Sequence, residues 1–261
     1  MLDIYLETED YFLTHERFTI VKCSQCGLMF VNPRPLPSEI FKYYQSENYI
    51  SHSTKQTGLL DKIYSLVRKQ NHFKKFKLIS RYKKAGAIFD IGCATGEFLY
   101  FFKKKGWKVT GVEPNDEARN FAAKTYQVTV ADEENIPNLE EKTFDVITMW
   151  HVLEHVHDIN ERVTQLNRLL KDDGIAVIAV PNPNSKDAAM YQKFWAGYDL
   201  PRHLYHFTAK TMEKLFDKHG FHLVEKIPLV FDAFYISLVS EKYQTGKRNL
   251  VKAFFRGLKS N

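Results

Sequence analysis

Cysteine is scarce in this chain of 261 residues: Cys23, Cys26 and Cys93 are all there is. So few thiols cannot build a disulfide scaffold, and a reducing, cytoplasmic setting suits them better than an oxidising one. No run approaches the roughly 18 apolar residues that a spanning helix requires. The opening MLDIYLETEDYF lacks the basic and apolar regions of a signal peptide, so no secretory leader is expected. With 44% apolar and 26% charged residues, disordered and fibrous classes are excluded. Aromatics are plentiful: 20 Phe, 14 Tyr and 3 Trp, enough to fill a core or line an apolar pocket.

The net charge of +6 is uneven. Residues 55–84 carry ten Lys/Arg against Asp61, and residues 241–261 carry six against Glu241, which leaves the rest mildly acidic. Basic clusters can track phosphates. The plainer reading, preferred here, is a solvated helix face and a solvated tail.

Residues 1–31 read as extended segments around the Cys pair, followed by the proline-dense connector NPRPLP. Ser38 is placed to cap a short helix, SEIFKYYQ. From Leu59 to Lys84 apolar residues recur at helical spacing. From Ala87 the pattern becomes strand–helix alternation: AIFDI, GEFLYFFKKKG, WKVTGVE, NDEARNFAAKTY capped by Asn115, QVTVA, FDVITMW, INERVTQLNRLLKDDG and IAVIAV. Such alternation implies right-handed crossovers and an α/β fold, a doubly wound, mostly parallel sheet. A helix near Ala188–Trp195, another capped by Thr208, and FHLVEKIPLV as a sixth strand complete the expected domain. The last 31 residues read mostly helical and offer no clean final strand. The expected division is 1–58, an extended and helical cap with the CxxC and a lid around Tyr43-Tyr44, and 59–261, the α/β domain.

In such sheets ligands bind beyond the carboxyl ends of the strands. The first of these strands ends in DIGCATGE, where Gly92 and Gly96 permit a tight turn and close backbone approach. Glu113 closes the next strand, where an acid can accept from both hydroxyls of a ribose. A dinucleotide fingerprint needs G-x-G-x-x-G over a helix N-terminus that holds pyrophosphate. Here Ala94 and Glu97 occupy the second and third glycine positions, and a carboxylate at that helix start repels a pyrophosphate. It does not repel S-adenosylmethionine (SAM), which has no phosphate, and Asp90 suits the ammonium group of that cofactor.

DIGCATGEFL, VTGVEP, ADEENIP, FDVITMWHVLEHVHD and the later PRHLYHFTAKTMEKLFDKHGF together resemble the class I SAM-dependent methyltransferases, in the branch of the quinone-biosynthesis enzymes and their bacterial relatives. The resemblance runs from about Ala87 to Lys226. It implies that Asp90, Gly92 and Gly96 line the methionine and ribose portions and that Glu113 holds the ribose. It places Pro114 against the adenine, Asp132 on its amino group with Glu133 alongside, and Trp150 and His151 near the methyl. Ala94 departs from the glycine of the pattern and tightens the loop.

His151, Glu154 and His155 stand at i, i+3 and i+4, a spacing able to hold a divalent metal. Some quinone O-methyltransferases that resemble this segment need a metal, but they carry an acid where this chain has His151, so no metal is expected here. Cys23-Ser-Gln-Cys26-Gly27 has zinc-knuckle spacing but only two ligands, half of the zinc ribbon found upstream in related methyltransferases. Arg202, His203, Tyr205 and His206 lie on a loop that the topology hangs over the cofactor, where His203 and His206 are candidate bases. Alternatively, His206 merely builds the helix start.

The expected activity is methyl transfer from SAM to an O, N or C acceptor on a small or carrier-borne molecule. An RNA-directed enzyme is the alternative raised by the basic segment, although TMWHV lacks the Asn/Asp-Pro-Pro-aromatic turn of base-amino methyltransferases. A non-catalytic SAM-binding module is the second alternative. Nucleic acid is not an expected partner.

Overall fold

The structure is a computed structural model and describes residues 1–45 and 59–247. It divides into two compact units that do not follow the expected boundary at residue 58. One contains Met1–Tyr49, Glu154–His157 and Val180–Asn261; the other contains Ile50–Leu153 and Asp158–Ala179. They are called here the antiparallel and the parallel unit.

The antiparallel unit is built on β1 (Leu2–Glu9), β2 (Arg17–Cys23) and β3 (Met29–Val31), joined to a two-residue strand far along the chain, Tyr205–His206. β3 pairs Met29 with His206 and Phe30 with Tyr205. Ile20, Met29 and Val31 from this sheet pack with Tyr191, Trp195 and Tyr198 into one apolar cluster. The expected helix at Ser38 is a single 3-10 turn, Ile40–Tyr44, flanked by Glu39 rather than capped by Ser38.

The parallel unit opens on α1 (Leu59–Ile79) and holds five strands: β4 (Ala87–Ile91), β5 (Lys108–Val112), β6 (Val130–Ala131), β7 (Phe144–Trp150) and β8 (Leu170–Ala179). Their order is β6-β5-β4-β7-β8 and every pairing is parallel. This is the doubly wound sheet expected from the alternation. β7 is buried along nearly its whole length, which is why FDVITMW carries no polar alternation. α2 (Glu97–Lys103) sends Phe98, Leu99 and Phe102 against Ile79, Ile88, Trp107 and Val146. α3 (Asp116–Phe121) starts where Asn115 accepts the Ala118 N–H at 2.9 Å, as its sequence indicates.

Two expected elements differ. The helix after β7, α4 (Ile159–Leu169), is capped by Asp158 and stops at Leu169; Leu170 is already extended and opens β8. The charged KDDG stretch is absorbed as an irregularity, with Phe144 facing Leu170 but Val146 facing Ile175. FHLVEKIPLV forms no strand: residues 221–229 carry no regular structure and are mostly exposed. Period-two patterning needs a partner edge, and among the described residues this segment has none.

The remaining helices belong to the antiparallel unit. They are α5 (Lys186–Tyr191), α6 (Ala209–Lys218) with a Thr208/Thr211 capping box, and α7 (Val230–Thr245). α7 bears out the helical reading as far as Thr245, residues 248–261 lie outside the described residues, and both described sheets lack a C-terminal strand.

Candidate active site

The strand order reverses between β4 and β7, and the residues at the carboxyl end of β4 form a crowded turn. Gly92 has φ +70° and a Cβ there would meet a Val152 methyl at 2.5 Å. Gly96 has φ +73° and its Cβ would sit 2.9 Å from that of Ala122. Neither position has room for a side chain, and both need the left-handed region open to glycine. Ala94 between them is also left-handed, at φ 47°.

Asp90 is almost fully buried at the end of β4, opposite Gly111 on one side and Thr148 on the other. The Thr148 hydroxyl donates to it at 2.5 Å. Burial pushes the Asp90 carboxyl up to about 7, against the pull of that hydrogen bond and of the Lys75 ammonium. Glu113 follows β5 and accepts from the N–H of Ala94 at 3.0 Å and of Asn115 at 3.1 Å. Burial raises the Glu113 carboxyl above its ordinary range in spite of these two donors. The acid thus ties the turn after β4 to the start of α3.

Arg119, one turn into α3, was not singled out by sequence reasoning. It donates to the Glu113 carbonyl at 2.5 Å, pairs with Asp116, and reaches Asp132 at 2.8 Å. Asp132 also accepts from Glu134 N at 3.0 Å and caps the 3-10 turn Glu133–Asn138, while Glu133 pairs with Arg162. An Arg four residues after an Asx cap carries no distinctive signature, so only its partners disclose the role. Pro114 is exposed beside Glu113.

Trp150 ends β7 with Phe98 edge-on at 5.7 Å and the Lys75 ammonium 3.8 Å above its ring. Lys75 was also missed, because ten cations crowd its stretch of sequence and none stands out. His151 follows in the left-handed region, at φ 59°, with its N–H donated to Ala179 O at 3.0 Å. Glu97, at the start of α2, pairs with Arg68 at 3.1 Å and lies 3.8 Å from His72, which hold its carboxyl below the usual range. Its charge is therefore partly balanced, but the position is occupied by a carboxylate all the same.

Asp90, Gly92, Gly96, Glu113, Pro114, Asp132, Glu133, Trp150 and His151 all belong to the parallel unit, whereas His203 and His206 belong to the antiparallel unit, as do Glu154 and His155. Arg202, on the loop expected to hang over the cofactor, is fully buried and saturated. It bonds Asp10 at 2.8 Å, Asp199 at 2.8 and 3.0 Å and the Tyr43 carbonyl at 2.9 Å, above the Phe12 ring. Tyr205 accepts from Arg34 at 2.6 Å and donates to His157 O at 3.0 Å. His206 is buried against Tyr198, and burial pushes it down to about 3, so its imidazole is uncharged at physiological pH. Tyr43 is buried with its hydroxyl on Glu16 at 2.7 Å, and the Tyr44 hydroxyl lies 2.9 Å from His155, so both rings are held within the antiparallel unit.

Residues 67–226 match the profile of a family described as "Methyltransferase domain". A ubiquinone biosynthesis O-methyltransferase of Pelagibacter ubique is 33% identical over 125 residues, which is 45% of this chain and 52% of that protein. One from Rhodopseudomonas palustris is 29% identical over 165 residues, 56% of this chain and 62% of that protein. The chain therefore spans between half and two thirds of the length of these relatives. Among solved structures, magnesium protoporphyrin IX methyltransferase from Synechocystis, with bound S-adenosylhomocysteine, superposes with TM-score 0.54 at 16% identity, covering 70% of this chain and 89% of that one. A SAM-dependent methyltransferase from Archaeoglobus fulgidus gives 0.51 at 22%, covering 68% and 86%. These structures share the Rossmann-like fold, and the family match covers well over half of the sequence. The chain belongs to the family described as "Methyltransferase domain", and its fold is the Rossmann-like one of SAM-dependent methyltransferase structures.

Proposed function

We propose that this protein transfers the methyl group of SAM to a small-molecule acceptor. The observation that carries the reading is a pair of acids, buried Asp90 and half-buried Glu113, at the ends of adjacent strands around a turn with no room for side chains. The residues fit the cofactor. A carboxyl held near 7 by burial gains most from a cationic partner, which the ammonium of SAM supplies. Glu113 stands where an acid holds two ribose hydroxyls, and the glycines let backbone approach. Asp132, fixed by Arg119, would accept from the adenine amino group, with Pro114 along the ring, and Trp150 and His151 would stand near the methyl. The bound cofactor supplies a methyl group on a sulfonium, which an acceptor O, N or C attacks in line. The chain's task is to position that methyl and exclude water. The relatives named for ubiquinone biosynthesis favour a small hydroxylated acceptor.

Calorimetry with SAM and NAD, followed by an assay for S-adenosylhomocysteine with candidate phenols, tests the reading. SAM binding with turnover supports it. Binding of NAD without SAM sinks it, and SAM retention without turnover on any acceptor makes the chain a binding module.

A further inference from the structure

An open pocket of about 490 Å³ lies wholly within the antiparallel unit and has no role in the reading above. One wall is β1, which contributes Tyr5 and Leu6. The other is the stretch around α5, which contributes Asn184, Ala188 and Gln192, with Tyr198 beyond it. Ligand pockets run to roughly 300–1,000 Å³, so the volume has room for a compound of one or two rings.

A regular strand would not build this wall, because its successive residues point to opposite faces. The register of β1 against β2 slips between Ile4 and Leu6, so Tyr5 is the extra residue of a bulge. A bulge re-aims a side chain, and here two residues adjacent in sequence line one pocket. Leu6 and Ala188 also pack into the apolar cluster of the unit, which fixes the floor. Tyr198 is buried and held edge-on by Trp195 at 5.0 Å and by His206 at 5.4 Å. Its hydroxyl oxygen stands 3.5 Å from that of Tyr5. A good O–H···O bond is about 2.7–2.8 Å, so the two phenols leave each other capacity for a third partner.

The lining selects the chemistry of the ligand. Among the described residues, no charged side chain lines the pocket. A phosphate or a carboxylate would lose hydration there without gaining a counter-charge. The walls offer ring and aliphatic surface from Tyr5, Leu6 and Ala188. They also offer groups that both donate and accept: two phenol hydroxyls and the amides of Asn184 and Gln192. We infer that this pocket binds a neutral aromatic compound that carries hydroxyl groups. Burial raises the Tyr198 phenol above its ordinary range, so it remains a donor at physiological pH. The pocket uses no residue of the cofactor site and binding is measured without SAM, so its failure is separate from failure of the methyltransferase reading.

Calorimetry on the full chain, without SAM, takes 2,3-dihydroxynaphthalene as the probe and 3-hydroxy-2-naphthoate as its charged counterpart. One equivalent of the diol is expected to bind saturably, and the naphthoate at least about tenfold more weakly. Tyr5→Phe removes one hydroxyl from an exposed side chain and should weaken binding of the diol roughly three- to tenfold. Ala189→Phe fills the pocket from an exposed position on α5 and should abolish binding. Ile4→Ser, on the same strand but outside the pocket, should bind as wild type does. Circular dichroism checks that each variant is folded, and if Ala189→Phe is not, Tyr5→Phe decides. No saturable binding of the diol, tighter binding of the naphthoate, or binding unchanged by both pocket substitutions overturns the site.

Discussion

Two pairs of acids, one in each unit, respond to burial in opposite ways. In the antiparallel unit burial pushes Asp10 and Asp199 upward, but Arg202 and local hydrogen bonds overcome it and leave both below the ordinary carboxylate range. In the parallel unit the same burial wins: Asp90 is driven to about 7 and Glu113 is raised. An acid already satisfied by a guanidinium holds structure together. An acid left with neutral donors stores a preference for a cation, or for further donors, that arrive from outside. Linkage gives the two sets opposite signs. The contribution of Asp10 and Asp199 is present above the unfolded value near 3.8 and is lost as pH falls through their lowered values. That of Asp90 is present below 3.8 and is lost as pH rises through about 7.

The largest effect is expected where the arginine is removed. Arg202→Met leaves Asp10 and Asp199 buried without their counter-charge, at a cost of about 3–5 kcal/mol. Thermal melting of the variant should fall steeply, and a double variant with Asp10→Asn should recover part of the loss. A melting temperature equal to wild type would mean that these acids do not depend on Arg202, and the contrast between the units would dissolve.

Next comes Glu113. Two charge-assisted bonds to a ribose are worth roughly 1.5–3 kcal/mol each, so Glu113→Ala should cost at least about tenfold in SAM affinity. The structure adds a second expectation. The carboxylate already holds the N–H groups of Ala94 and Asn115, so alanine should also lower the melting temperature. Glu113→Gln retains one acceptor oxygen and should restore melting more than affinity. Equal affinity in Glu113→Ala and wild type, measured by calorimetry, removes Glu113 from the cofactor site.

The parallel unit was the legible one. Its strands are local runs of apolar residues between turn signals, and Asn115 announces its helix by type and position. Asp90, Gly92, Gly96 and Glu113 were readable because a turn with positive φ and an acid at the next strand end leave traces in residue type. Arg119 and Lys75 left none, since their roles depend on what lies across from them. The antiparallel unit was poorly legible for a topological reason. A strand of two residues, Tyr205–His206, pairs with β3 from more than 170 residues away, and no periodicity fits in two residues. Arg202 reads in sequence only as a residue of the loop over the cofactor. Its burial depends on Asp10 and Asp199, and only the fold unites those three.

Asp90 offers a graded test of the same contrast. A SAM ammonium requires the ionised carboxylate, so binding below the raised pKa must release a proton. With a carboxyl at about 7, affinity should rise about fivefold from pH 6 to pH 7, below the range where an α-amino group itself loses its proton. Asp90→Asn should bind more weakly and lose that slope. A flat profile in the wild type would show that Asp90 does not meet the cofactor's cation.

The smallest effect is expected at Ala94, within the same turn. Its φ of 47° puts a Cβ in the left-handed region, which costs a non-glycine residue about 1–2 kcal/mol. Ala94→Gly relieves that strain but frees the unfolded chain, which returns about 0.4–1 kcal/mol. The balance is a gain of about 0.5 kcal/mol, or a degree or two of melting temperature in a chain of this size. The amide that donates to Glu113 is retained, so SAM affinity should barely move. Ala94 stands where the motif that the sequence resembles has glycine, in a left-handed conformation. A clear loss of stability in Ala94→Gly would mean that the methyl group packs usefully and that the turn is held by contact, not by the two acids that flank it.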